Sequence, residues 1–564
     1  MTSESETDNR APCASSEGFA LREHANENLL KLDTHDKYST TTTIRKMIMR
    51  SIPPPTTNSP PCPLFSGLLR MRKSPSSPFL FLAFRTPEER AIAAQHLRCM
   101  SYRGKVPWHE VPVTSRDLHV THKGGTRKRQ RDEGSAGVRN VSQWEDLPME
   151  EQLARKRAHC LKVMRSITAH GKSISEGLFT AVHPSPEVSG YRNHVLLTFG
   201  FTESGEPAIG FLKGAMVEGI HTIDSVLEKD IVTMSPLARV VAHAVMSVYG
   251  FFRAPERGGL EVQDKLKGEG FWRRLQVRHN VRGEVMVDIE LDADSVPPNL
   301  LEAVKDRLIG VLQGMELQHE LRNVSQKETA IVVSAHYHHG TGMTTPPPDA
   351  QRFLLFGAPT LTEHLSGLQF KLSPASFFQV NTPAMELLLR ELATMAVLGP
   401  GTTLLDLCCG PGTIGLALAK HVKRVIGIEL VESAVQDAKL NAELNNISNT
   451  TFHCGRVEHV LPEVIRGLLP EDRSDVVAVL DPPRAGVTPT VLKWIRGTPS
   501  IRRVVYISCE QKALERDCPP LTKPPTKMYR ELPFRVVSSF AVDLFPHTPH
   551  VEMVVALARC DNES

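Results

Sequence analysis

Residues 403–415 read TLLDLCCGPGTIG, and this passage constrains the fold more than any other in the chain. An apolar run of strand length meets Gly410-Pro411-Gly412 and enters a helical pattern at about Thr413. Gly410, Gly412 and Gly415 keep the GxGxxG spacing, which allows a tight turn and a close approach of a ligand to the helix start. From about residue 352 strands alternate with helices, the pattern of an α/β unit with a parallel sheet. The strand ends of such a sheet share one edge, and that edge carries the ligand crevice. Three later strands end there in residues capable of chemistry: RVIGIE in Glu429, VVAVLD in Asp481 and RVVYIS in the adjoining Cys509.

A lone glycine turn is a weak signal. A carboxylate ending the second strand strengthens it, because Glu429 can accept hydrogen bonds from both ribose hydroxyls of a nucleoside cofactor. NAD and S-adenosylmethionine both remain open at that point. The fourth strand separates them. Its Asp481-Pro482-Pro483-Arg484 turn resembles the fourth motif of S-adenosylmethionine methyltransferases, and Asp406, four residues before Gly410, resembles their first. Dehydrogenases lack such a pair.

Cys509 can be a packed thiol, half of a disulfide, a metal ligand or a nucleophile. Ten cysteines in 564 residues form no CxxC pair and no even framework. That spacing favours free thiols in a reducing compartment and argues against a zinc site or a four-cysteine cluster. A core thiol would sit in mid-strand rather than at the crevice edge. The nucleophile reading therefore leads. A methyltransferase needs a nucleophile if its target is carbon 5 of uracil, which is too poor a nucleophile to take a methyl group unaided. A thiolate added at carbon 6 turns the ring into an enolate. A base must later remove the carbon-5 proton so that the thiol leaves. Glu552 follows a Pro/His-rich loop and opens the last apolar strand, 551–557. Spacing alone leaves it either a surface acid or a carboxylate pointing into the crevice.

The rest of the chain organises as follows. Residues 1–26 are a polar tail. Residues 27–115 form a small α/β unit, with strands at NLLKLDT, FLFLAF and PWHEVPV and helices at TIRKMIMRSI and after Thr86-Pro87. Residues 116–144 are a linker whose basic cluster, Arg127, Lys128, Arg129 and Arg131, reads as a solvated stretch, with phosphate binding or a nuclear address as the alternative. Residues 145–351 are a central α+β region, with a basic amphipathic helix at PMEEQLARKRAHCLKVMRSI and strands at NHVLLTFGF and EVMVDIEL. HYHHG at 336–340 reads as histidines exposed at a strand end rather than as a metal tract. Residues 352–564 form the Rossmann-like unit. No apolar run reaches the length of a membrane span, and the first ten residues read neither as a secretory signal nor as a transit peptide. These features imply a soluble protein of cytoplasm or nucleus. The net charge of +3 gives no general case for nucleic acid.

Taken in order, SPASFFQVN, LLDLCCGPGTIG, VIGIELVESAVQDAKLNA, LDPPRAG, YISCE and AVDLFPHTPHVEM resemble the RNA uracil-C5 methyltransferase family, which makes 5-methyluridine. The resemblance covers most of 145–564. It implies a class I methyltransferase fold, S-adenosylmethionine as cofactor, Cys509 as nucleophile and Glu552 as the proton acceptor. It also implies cofactor contacts from Gln379, Glu429 and Asp481. Bacterial ribosomal members with an iron–sulfur cluster carry a cysteine quartet upstream, whereas 161–407 holds no cysteine here, so neither cluster nor metal is expected. The N-terminal unit resembles the RNA-recognition-motif-like (RRM-like) domain of the eukaryotic tRNA branch. Phe79, Phe81 and Phe84 stand where its signature wants aromatics to stack on bases, while Ser77 and Pro78 replace the signature's basic residue and glycine. The implied substrate is tRNA, methylated at position 54 of the T-loop, with the target base out of its stack and the RNA held by Lys and Arg of the central region. An rRNA uracil-C5 methyltransferase and a non-catalytic RNA-folding protein on the same fold are the alternatives. A cytosine-C5 enzyme is disfavoured because it places its cysteine in a Pro-Cys turn after strand four. An amino-methylating enzyme is disfavoured because Arg484 stands where it needs an aromatic.

Overall fold

The computed structural model describes residues 29–33, 68–73, 79–84, 87–99, 109–111, 142–168, 177–213, 222–228, 230–265, 268–340, 350–525 and 530–560. The chain divides into two compact units, Met1–Glu133 and Gly134–Ser564.

In the first unit, β1 (Leu29–Asp33), β2 (Leu68–Lys73), β3 (Phe79–Phe84) and β4 (His109–Val111) form one antiparallel sheet in the order β2-β3-β1-β4. Helix α1 (Pro87–Cys99) separates β3 from β4, and its Ala93 and Ala94 are buried with Leu82 of β3 in the unit's core. The expected tail, the helix at TIRKMIMRSI and the basic cluster 127–131 lie outside the described residues.

The second unit begins with α2 (Met149–Thr168) and β5 (Phe179–His183). A seven-stranded sheet follows, ordered β12-β11-β10-β9-β6-β7-β8. Its members are β6 (His194–Phe201), β7 (Pro207–Leu212), β8 (Ile223–Ser225), β9 (Trp272–His279), β10 (Val285–Leu291), β11 (Val332–His339) and β12 (Arg352–Gly357). Only β10 and β11 run parallel. Strand periodicity explains its two faces. Val285, Val287, Ile289 and Leu291 join a core under α3 (Pro236–Phe252), α4 (Pro298–Gln313) and α5 (Met315–Ser325). The alternate residues Asp288 and Glu290 face the other way and are also buried.

That second face corrects the reading of HYHHG. His336 and His338 lie inside β11 and are buried, not exposed at a strand end. The Nδ1 of His338 sits 3.0 Å from Oδ1 of Asp288, whose Oδ2 accepts from Nε of Arg352 at 3.0 Å. Charged partners on neighbouring strands make that burial tolerable. The expected division at 351–352 also falls within this sheet, because β12 pairs with β11.

After the hairpin of β13 (Leu361–Leu365) and β14 (Leu368–Leu372), and helix α6 (Thr382–Met395), the Rossmann-like sheet starts. It has eight strands, ordered β17-β16-β15-β18-β19-β21-β20-β5. They are β15 (Thr403–Leu407), β16 (Arg424–Glu429), β17 (Thr450–Cys454), β18 (Val476–Leu480), β19 (Ile501–Ser508), β20 (Phe534–Val542) and β21 (Glu552–Arg559), with β5 at the edge. β15 to β19 run parallel, and β21 is antiparallel to both β19 and β20. Both faces are covered, so the strands read as unbroken apolar runs. Leu404, Val477, Val479, Val505 and Ile507 enter one core, and Leu405, Ala478, Leu480, Val504 and Tyr506 the other. The second core also takes Cys160, Val163, Met164 and Ile167 of α2 and Phe179 of β5. Residues 149–183 are thus built into the C-terminal sheet, with β5 parallel to β20. Among the described residues no helix is long and apolar enough to cross a membrane.

Candidate active site

The parallel strands bring their carboxyl ends to one edge, and there the sequence motifs meet. β15 leads into the glycine turn, which opens α7 (Thr413–Leu418). Gly412 caps it at φ 85°, where a side chain would be strained. A Cβ on Gly415 would come within 2.9 Å of Oδ2 of Asp406, and the Gly415 N–H donates to that oxygen at 2.8 Å. Asp406 is fully buried, and its other oxygen, Oδ1, has no partner among the described residues.

Glu429 ends β16 and holds the turn in place. Its Oε2 accepts the Gly410 N–H at 3.1 Å and its Oε1 the Val431 N–H at 2.9 Å. Asp481 follows β18. Burial pushes its carboxyl up to about 7. Burial does the same to Asp406, up to about 7, opposed by the Gly415 N–H and reinforced by the charges of Asp481 and Glu429. Three carboxyls therefore crowd one edge at a cost in electrostatic energy that a cation would relieve.

β19 ends at Ser508, and Ser508 pairs with Met553 of β21. Cys509 follows Ser508 and Glu552 precedes Met553, so the two flank the last pair of that ladder on the same side, and Glu552 is buried. Burial and then the Asp481 charge push the Glu552 carboxyl well above the usual carboxylate range, against the pull of Arg484. Burial also pushes the Cys509 thiol up to about 11, with Glu552 and Asp481 adding to the shift and the charge and hydrogen bond of Arg484 opposing it. The resting thiol therefore carries its proton. Arg484 is the exposed residue after Asp481-Pro482-Pro483, and it is the cation that faces both groups. Its part in the site escaped the sequence reading, which weighed it only as a replacement for an aromatic.

Gln379 lies on the loop 373–381 between β14 and α6. Arg278 Nη2 donates to Ser376 O at 2.6 Å, Gln276 Nε2 to Pro374 O at 2.7 Å and Asn193 N–H to Val380 O at 2.9 Å. From the other side Ser373 Oγ donates to Asp437 Oδ2 at 3.1 Å. The loop is thus pinned between the central sheet and the Rossmann-like unit. No hydrogen bond among the described residues joins Gln379 to the other four predicted residues, whereas Asp481, Cys509 and Glu552 share one electrostatic cluster.

The residues present suit a cationic nucleoside. Asp406 offers an unpartnered buried oxygen, Glu429 stands where ribose hydroxyls are read, and the crowded carboxyls favour positive charge. Among the described residues no group of three or more His, Cys, Asp or Glu could hold a metal ion, and Cys509 and the other described cysteines are free.

The family model for tRNA (Uracil-5-)-methyltransferase matches residues 360–560. The chain is 32% identical over 515 residues to the human tRNA (uracil-5-)-methyltransferase homolog A, covering 86% of this chain and 77% of the relative. To the human homolog B it is 32% identical over 437 residues, covering 73% and 82%. Among solved structures, the Pyrococcus abyssi tRNA (uracil-54, C5)-methyltransferase in complex with S-adenosyl-L-homocysteine superposes with a TM-score of 0.51 at 24% identity, over 77% of this chain and 91% of that one. That likeness shows the fold.

Proposed function

The chain belongs to the tRNA (uracil-5-)-methyltransferase family, and we propose that it methylates carbon 5 of the uridine at position 54 of the tRNA T-loop, with Cys509 as nucleophile and Glu552 as proton acceptor. It is an S-adenosylmethionine-dependent enzyme. The observation that carries the residue assignment is that Cys509 and Glu552 flank the Ser508–Met553 pair on the same side, with Asp481 and Arg484 beside them. The position rests on the name of the archaeal structure that shares the fold.

Glu429, Asp406, Asp481 and Gln379 would hold S-adenosylmethionine, which would supply an electrophilic methyl group. The chain's own groups do the rest. The Cys509 thiol first gives up its proton to solvent, at a cost that the charge of Arg484 lowers, and the thiolate sulfur then adds to carbon 6 of uracil while the ring electrons move to the carbonyl oxygen at carbon 4. Once carbon 5 bears both a methyl group and a proton, Glu552 accepts that proton. The released electron pair restores the ring double bond and expels the Cys509 thiolate. A stacked base hides the face that Cys509 must attack, so the target base has to leave its stack.

The N-terminal unit is read as an RRM-like domain. Its sheet order β2-β3-β1-β4, with a helix between β3 and β4, supports that reading, since the motif is a four-stranded sheet whose strands carry base-stacking aromatics. In the same reading residues 116–144 are a basic linker and the central sheet helps to grip the RNA.

Methyl transfer from labelled cofactor to unmodified tRNA, followed by nucleoside separation, tests the proposal. Label in 5-methyluridine that disappears when uridine 54 is replaced is the expected result. Label that survives the replacement would move the target, and label in another nucleoside would overturn the chemistry.

A further inference from the structure

Residues 543–551 carry β20 into β21 and so deliver Glu552 to the site. Four successive carbonyls of this loop are each held by a donor from a different part of the chain. Asn381 Nδ2 donates to Leu544 O at 3.2 Å and Lys156 Nζ to Phe545 O at 3.0 Å. Tyr191 Oη donates to Pro546 O at 3.0 Å and the Trp144 N–H to His547 O at 2.8 Å. Beneath them Lys156 Nζ reaches Oδ1 of Asp543 at 2.5 Å, with neither side chain exposed. One helical turn earlier on α2, Gln152 Oε1 accepts the N–H of His547, which sits in the left-handed region at φ 63°.

A fully buried ion pair is a poor device for stability alone, because a well-packed apolar pair of similar volume does as well or better. What the pair adds is direction: one ammonium bonds one carboxylate and one named carbonyl. Burial pushes the Asp543 carboxyl up and the Lys156 ammonium down, and each group draws the other back, so neither charge is tolerated there alone. Lys156 also lies outside the span 360–560 that the family model matches.

We propose that Lys156 and Asp543 are positioning residues that hold the 543–551 loop, and with it Glu552, in register with Cys509, so that α2 serves the removal of the carbon-5 proton rather than the binding of RNA or cofactor. This rests on the assignment of Cys509 and Glu552 above.

The test compares full-length wild type, Glu552→Gln, Lys156→Met and the double variant Lys156→Met with Asp543→Leu. The double variant removes both charges and keeps the volume. It also removes the bond to Phe545 O. Melting, tRNA and cofactor affinity, and single-turnover formation and release of the denaturant-stable protein–RNA adduct are measured. Lys156→Met, with its stranded carboxylate, should melt below wild type. The double variant should melt with wild type, bind both ligands within about twofold, form adduct at the normal rate and release product roughly tenfold or more slowly. Its adduct then accumulates as it does in Glu552→Gln. Release at the wild-type rate, slowing of adduct formation and release together, or a melting point well below wild type would each overturn the proposal. Absence of adduct in Glu552→Gln would instead overturn the assignment of the base, and that result is read independently.

Discussion

Ser508 pairs with Met553 across the antiparallel ladder of β19 and β21, so Cys509, which follows the one, and Glu552, which precedes the other, lie on the same side of that last pair. The proposed nucleophile comes at the carboxyl end of one strand and the proposed base at the amino end of its neighbour. Only the reversal of β21 against an otherwise parallel run places them together.

The first prediction concerns the two steps separately. Cys509→Ala should lower methyl transfer by roughly four orders of magnitude or more, since it removes the thiol that makes the enolate. Its affinity for cofactor should stay within about twofold, and the free thiols of Cys408 and Cys454 at the ends of β15 and β17 should not restore the rate. Glu552→Gln keeps the thiol and should trap RNA covalently, seen as a slow band on a denaturing gel. A Cys509→Ala enzyme that methylates at the wild-type rate would rule out the covalent route.

How far the site could be read from sequence follows from the sheet's geometry. Glu429, Asp481 and Cys509 were legible because parallel strands end at one edge however far apart they lie in the chain. The built-in position of α2 and β5 was not. An amphipathic helix shows that it has an apolar face but not which core receives it, and β5 is fixed only by pairing with β20, more than 350 residues away. The Lys156–Asp543 pair escaped for a related reason, since a lysine on a helix is ordinarily exposed. His338 misled because its partner Asp288, itself held by Arg352, sits on a neighbouring strand, and His336 because it is buried against Ser334 Oγ within β11.

The second prediction is the sign of the pH dependence. Cys509 is pushed up to about 11, so its thiol holds its proton at neutral pH, and Glu552 is pushed well above the usual carboxylate range, in the same direction. Both must be ionised to act. kcat/KM should therefore rise from pH 6 to pH 9, by up to about tenfold per unit on a single-ionisation limb. A flat profile would show the two groups already ionised in the free enzyme, against the effect of their burial.

Arg484 supplies the third. It opposes the upward shift of both Cys509 and Glu552, and it is exposed, so solvent screens part of its effect. Arg484→Gln should lower the rate at pH 7.5 by roughly 10- to 100-fold and move the rising limb to higher pH. Arg484→Lys keeps the charge but loses the fixed fork of donors, and should recover part of the loss. A loss with no displacement of the limb would assign Arg484 to RNA binding instead.

The last prediction uses the crowded carboxyls as a reporter of cofactor charge. Asp406 and Asp481 are raised to about 7 by burial. A carboxyl raised in the fold holds its proton there and loses it on unfolding, so its stabilising contribution is present at acid pH and is lost as pH rises through 7. The ligand-free protein should accordingly lose stability from these two groups as pH rises from the ordinary value of 3.8 to about 7, with the loss levelling off above that. A sulfonium bound beside them favours their ionised forms and releases protons as it binds. The affinity for S-adenosylmethionine should therefore tighten from pH 6 to pH 8, by up to about tenfold per unit for each proton released. S-adenosylhomocysteine lacks the sulfonium charge and should show a much weaker dependence on the same residues. Asp481→Asn should flatten the S-adenosylmethionine curve toward that of the neutral ligand. Calorimetric titration of both ligands at pH 6, 7 and 8 checks this. Equal slopes for the two ligands would show that the carboxyls answer to something other than the cofactor's charge.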